Sequence, residues 1–187
     1  IGAGKSAAAR AFAALGATVI DADALGHEAL RDPAVKAKLV SMFPGILDGS
    51  GEIDRRRLGA VVFADAEARK ALESVSHPWI RERASRIMEG KPFVVLDAAL
   101  LHEAGWDSLC DRVVFIDAPR EERLQRVKER SGWTDEQLAA RESAQLPLTE
   151  KRSRADHVVD NASTTDDLSR RIEELVRGWG RGGPDDR

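Results

Sequence analysis

A length of 187 residues, with 42% hydrophobic and 33% charged residues, suits one α/β domain with insertions and excludes wholesale disorder. The formal net charge is −3, and the 29 Lys and Arg residues are interleaved with acids, so no clustered basic footprint for nucleic acid is present. No apolar run approaches the ~20 residues of a bilayer span, no signal peptide opens the chain, and the single Cys110 excludes an internal disulfide or cysteine metal site. A reduced, cytoplasmic setting is expected, with no membrane and no obligate protein partner.

In chain order, Ser6 to Leu15 is an Ala-rich helix closed by Gly16, and Thr18-Val19-Ile20 is a short strand ending at Asp21. Residues 24–90 form a helical insertion: Leu39, Met42 and Phe43, then Leu58, Val61 and Val62, then Ala68, Leu72 and Val75 recur at helical spacing around the turn Asp48-Gly49-Ser50-Gly51. Phe93 to Leu96 and Val113 to Ile116 are unbroken apolar runs, the pattern of parallel strands buried on both faces. Arg120 to Arg130 is a charged helix stopped at Ser131-Gly132. Thr134 and Gln137 form a capping box for the next helix. His157-Val158-Val159 is a last strand, and Thr164 or Thr165 opens a helix with Leu168, Ile172, Leu175 and Val176 on one face. Residues 179–187 read as a disordered tail. Strands alternating with helices predict an α/β fold with a parallel sheet and helices on both faces.

Gly2-Ala3-Gly4-Lys5-Ser6 carries the most chemistry. It fills the end of the G-x-x-x-x-G-K-[ST] phosphate-binding pattern, whose first glycine would fall two positions before Ile1. The chain opens on Ile1 inside this motif, so the native N-terminus and a first, central strand are expected upstream. Glycines let successive N–H groups converge on phosphate oxygens, and the following helix adds its positive end. Lys5 would reach the β- and γ-phosphates, and the Ser6 hydroxyl would bind Mg2+. ATP with Mg2+ is the implied co-substrate. The motif makes the sheet a three-layer fold of the phosphate-loop NTPase type.

Asp21-Ala22-Asp23 closes a strand, where doubly wound sheets place ligand contacts. One aspartate is expected to cap the next helix and the other to be free to accept the proton of an attacking hydroxyl. Asp97 also ends a strand and is a second candidate for the Mg2+ shell; a turn or capping role is the alternative. Arg120, Arg123, Arg126, Arg130 and Arg141 read as one basic helical segment suited to a transferring phosphoryl group. Ordinary helix ion pairs with Glu121, Glu122, Glu129 and Asp135 compete with that reading. His77-Pro78, read as lying between two helices, is either a ligand contact or a packed helix start.

Together with Leu15-Gly16 and Val19 to Asp23, the glycine motif resembles the opening of dephospho-CoA kinases. The similarity continues through Gly51 to Arg56, Leu58, Phe63, Leu72-Glu73, His77-Pro78-Trp79-Ile80, Asp97, Leu100-Leu101 and Glu103. It ends with Arg141 and Gln145, Glu150-Lys151, Ala155-Asp156 and Val158 to Asn161, and so spans residues 1 to 176. The resemblance implies ATP-dependent phosphorylation of the ribose 3′-hydroxyl of dephospho-CoA. It also implies a core (1–23, 91–118, 155–178), a CoA-binding helical domain (24–90) and a lid (119–154). Asp23 would be the base, His77 and Arg56 acceptor contacts with Asp97 near them, and Arg141 a lid contact to phosphates. Gly2 to Ala7 would hold ATP, with Asn161 beside the adenine. The chain departs from the family where Ala7 replaces Thr, Ala99 replaces Pro and His102 replaces Phe. The alternatives are another small-molecule kinase of the same fold, or a non-catalytic nucleotide-binding relative. A GTPase is disfavoured, because no Asn-Lys-x-Asp guanine signature occurs.

Overall fold

Residues 1–180 are described by a computed structural model, and the tail expectation for 181–187 lies outside the described residues. The chain divides into two units, one of Ile1–Ile20 with the chain from Pro92 onward, the other of Asp21–Lys91. Among the described residues, no helix is long and apolar enough to cross a membrane.

The first unit holds α1 (Lys5–Ala14), β1 (Thr18–Asp21, whose last residue opens the second unit) and β2 (Val94–Asp97). It continues with β3 (Val114–Asp117) and α6 (Arg120–Ser131), then α7 (Asp135–Glu142), α8 (Leu148–Ser153), β4 (His157–Asp160) and α9 (Thr165–Trp179). Runs of Val and Ile, whose branched side chains suit a pleated surface, make the strands. β3 and β4 are parallel, with Val114 opposite His157 and Asp117 opposite Asp160. β1 pairs with β2, and Thr18 N–H donates to the Phe93 carbonyl at 2.9 Å. The four strands thus form two two-stranded ladders among the described residues.

The two apolar runs are half-buried rather than enclosed on both faces. Each strand has one hydrogen-bonded neighbour, which leaves the outer edge of each strand open. Alternation decides which side chains meet the core. Phe93 and Val95, like Val114 and Ile116, pack on the cluster of Ala8, Ala11 and Phe12 from α1 and Leu168 and Ile172 from α9. Burying a side chain such as Leu168 or Ile172 contributes about 1.5–3 kcal/mol. Trp179, expected as the first tail residue, is instead the last residue of α9. It stacks on Phe12 at 6.1 Å between ring centroids, and its indole N–H donates to His157 Nε2 at 3.0 Å.

In the second unit, α2 (Ala22–Ala29), α3 (Pro33–Met42) and α4 (Arg55–Ala64) each pack against α5 (Ala66–Met88). All four helices start on an aspartate, Asp21, Asp32, Asp54 and Asp65, whose carboxylate accepts first-turn N–H groups. Such caps contribute about 1 kcal/mol each. Leu39, Phe43, Leu58 and Ala68 are buried, whereas Met42 and Val61 are exposed. His77-Pro78 lies inside α5 and joins no two helices. The Asp48 turn becomes a small hairpin: Leu47 bridges Ile53, and the Asp48 carboxylate accepts from Ser50 and Glu52 N–H.

Candidate active site

Gly2 and Gly4 carry positive φ angles of 74° and 95°, a region L side chains rarely adopt. Both also lie under other elements. A Cβ on Gly2 would sit 2.6 Å from the Arg123 carbonyl oxygen, and one on Gly4 would collide with the Asn161 amide. Gly4 is the N-cap of α1, with no side-chain cap and no acid in the first turn. Ala7 N–H donates to the Gly4 carbonyl at 2.9 Å, and the N–H groups ahead of it, with the positive end of the dipole, are left for an anion. Ser6 is exposed on that turn, while Ala7 packs against the α1–α9 core.

Lys5, the first residue of α1, pairs with Asp97 at the end of β2; the carboxylate side chain is 8% exposed and the lysine 39%. Asp97 is thus a counter-charge for the loop lysine. Among the described residues no cluster of three or more His, Cys, Asp or Glu side chains is arranged to hold a metal ion.

Around the loop stand three further cations. Arg123 is buried, pairs with Glu142 and donates from Nε to the Ala118 carbonyl at 3.2 Å. Arg126 Nη2 donates to the Asn161 carbonyl at 2.9 Å, and its Nη1 is buried with no hydrogen-bond partner, 3.9 Å from where a Gly4 Cβ would lie. Lys151, also buried, donates to the Ala99 carbonyl at 2.8 Å and to Gln145 Oε1 at 3.0 Å, and pairs with Glu103 at 2.6 Å. Burial raises the Glu103 carboxyl, and Lys151 with the Leu146 N–H pulls it down, so that the net direction is below its ordinary value. Arg152 pairs with Asp117 at 3.2 Å.

The basic segment is two helices, separated where Gly132 ends α6 at φ 67° and Thr134 caps α7. The remaining arginines differ accordingly. Arg120 pairs with Asp135, Arg130 is exposed, and Arg141 on α7 lies over the Trp133 ring at 4.0 Å from its centroid. The His102 side chain is buried, with Nδ1 3.2 Å from Asp107 Oδ2, so this position holds a paired imidazole. Asn161 is 6% exposed and donates from Nδ2 to the Ala3 carbonyl at 2.7 Å.

The second unit carries the other sequence candidates. Asp21 caps α2 by accepting from Ala24 N–H at 3.0 Å, and Asp23 is exposed on the first turn. Arg56 is exposed at the start of α4. His77 is half-buried, and desolvation holds its imidazole below the ordinary value against the opposing Glu73. The roles of Arg123, Arg126 and Lys151 were not assigned from sequence. Arg123 and Arg126 carried a signal as members of the basic helical segment, and Gln145 and Lys151 through the resemblance.

A profile described as dephospho-CoA kinase matches residues 1–167. The chain belongs to the dephospho-CoA kinase family. A dephospho-CoA kinase of Geobacter sulfurreducens is 43% identical over 183 residues, covering 94% of this chain and 92% of the relative. One of Geobacillus kaustophilus is 38% identical, covering 96% and 92%. A crystal structure from Thermus thermophilus superposes with a TM-score of 0.84 at 38% identity, covering 98% of this chain and 94% of that one. The dephospho-CoA kinase of Campylobacter jejuni superposes with 0.70 at 30% identity, covering 97% and 94%.

Proposed function

We infer that this chain transfers the γ-phosphoryl group of ATP to the ribose 3′-hydroxyl of dephospho-CoA, giving CoA and ADP. One observation carries the reading: in a chain that matches the family from residue 1 to 167, the uncapped start of α1 presents its N–H groups beside Lys5. The loop N–H groups and Lys5 would bind the phosphates, with Lys5 shared between them and Asp97. Ser6 and Asp97 offer hard oxygen donors that fit Mg2+. Few protein ligands suit that ion, which keeps water and phosphate oxygens around it. When bound, it would neutralise charge on the transferring group.

Asp23 is the proposed group that orients or deprotonates the acceptor hydroxyl, supported by its exposure where Asp21 does the capping. Arg56 and His77 are proposed acceptor contacts. Arg141 is a proposed phosphate contact, which would require it to leave Trp133. The proposed architecture is the three-layer phosphate-loop sheet with 24–90 as the CoA-binding domain and 119–154 as a lid, working in a reducing cytoplasm.

The test is product formation with Mg-ATP and dephospho-CoA, with AMP and adenosine as competing acceptors. Turnover of AMP equal to or above that of dephospho-CoA would overturn the assignment in favour of a nucleotide kinase. Asp23→Asn should lower turnover by about 10²–10⁴-fold with ATP affinity unchanged. Near-normal turnover would remove Asp23 from the chemistry.

A further inference from the structure

Asn161 follows β4 and is fixed on three sides. Its backbone N–H donates to the Asp117 carbonyl at 2.7 Å, tying the ends of β3 and β4 together. Its backbone carbonyl accepts from Arg126 Nη2 at 2.9 Å. Its side-chain amide reaches across the fold and donates to the Ala3 carbonyl at 2.7 Å. The partner is a carbonyl oxygen, so the nitrogen of the amide must face it. Gly4 leaves the space the amide occupies, because a Cβ there would overlap it.

This contact bears on anion binding through the direction of one peptide. A phosphate nest works when successive N–H groups point at the anion and the carbonyls between them point away. The Ala3 carbonyl lies between positive-φ Gly2 and Gly4, where glycine freedom allows the peptide to rotate. Rotated inward, the Ala3–Gly4 peptide would aim its oxygen at the phosphates and withdraw the Gly4 N–H. The Asn161 donor holds the carbonyl in one orientation, and the two backbone hydrogen bonds, to Asp117 and from Arg126, hold Asn161. We propose that Asn161 is a positioning residue that locks the phosphate loop in its anion-binding form, and that its side chain is not an adenine contact. This rests on the ATP reading above but concerns only how the loop is held.

Asn161→Asp keeps shape, removes the donor and places a carboxylate against the Ala3 carbonyl. Asn161→Ala removes the donor without adding charge and serves if the aspartate variant does not fold. Affinities for ATP, for inorganic tripolyphosphate and for adenosine are measured by calorimetry on the full chain, together with KM for each substrate. The loss of one buried hydrogen bond predicts about 5–10-fold weaker binding for the alanine variant, and more for the aspartate. The factor should be the same for ATP and tripolyphosphate, with adenosine binding and the KM for dephospho-CoA unchanged. Weaker adenosine binding, or a loss for ATP that tripolyphosphate does not share, would make Asn161 a base contact and overturn the proposal. Equal loss in all ligands would reduce it to general structural support, which also overturns it. Tripolyphosphate binding does not depend on the acceptor, so a wild-type chain inactive on dephospho-CoA would refute the kinase assignment and leave this test standing.

Discussion

Lys5 and Asp97 should couple strongly, and asymmetrically, because they differ in burial: the Asp97 side chain is 8% exposed and that of Lys5 39%. Lys5→Met strands a buried carboxylate without its counter-charge. Removing one partner of a fully buried pair costs about 3–5 kcal/mol, and the exposure of Lys5 brings the expected cost here to ~2–3 kcal/mol. Asp97→Asn instead leaves an ammonium that water reaches, at ~1 kcal/mol. The double variant has no stranded charge and should lose about 2 kcal/mol, less than the sum of the single losses, a coupling of about 1–2 kcal/mol. Urea midpoints of the four proteins without nucleotide measure this, provided the slopes agree. ATP at about 100 times its Kd should add ~2.7 kcal/mol to the wild type and much less to Lys5→Met. Losses that add within about 0.5 kcal/mol would show that the lysine does not hold the carboxylate. So would an Asp97→Asn cost equal to that of Lys5→Met.

Three further outcomes are expected. If Arg141 leaves the Trp133 ring to meet phosphate, saturating ATP should change the Trp133 share of the fluorescence, isolated by Trp133→Phe; Arg141→Ala should abolish that change, and an ATP response identical in all three proteins refutes it. Burial lowers the His77 imidazole below its ordinary 6.5, so the folded chain binds that proton less readily than the unfolded chain; this contribution is intact above pH 6.5 and is lost as pH falls below it. His77→Gln should therefore flatten the fall in urea midpoint between about pH 7.5 and about pH 5.5, whereas an unchanged fall would assign it to other groups. Burial, reinforced by Asp107 and Asp111, pushes the Cys110 thiol above its ordinary 9.0, so alkylation at about pH 8 should be slower than for a free thiol and rise in urea; fast labelling of the folded chain contradicts this.

Local chemistry is what the sequence determined by itself. The strands were visible as Val- and Ile-rich runs, α1 as the helix after Gly4, and the capping box in Thr134 and Gln137. The same local rules anticipated that one aspartate of Asp21-Ala22-Asp23 would cap. The Gly2 to Ser6 motif was legible because its glycines, lysine and serine lie within a few residues of one another. Tertiary structure alone decided what depends on approach between distant segments. Asp97 became the partner of Lys5 across 92 positions. Asn161 became the strut of Ala3 across 158. The arginines of one apparent basic segment were divided into a buried pair, a half-satisfied guanidinium beside the loop and a cation lying on an indole. A charged side chain in a helix reads the same whether water or a carboxylate meets it. Only the packing of α6 and α7 determines which arginines lose their water and must find partners instead.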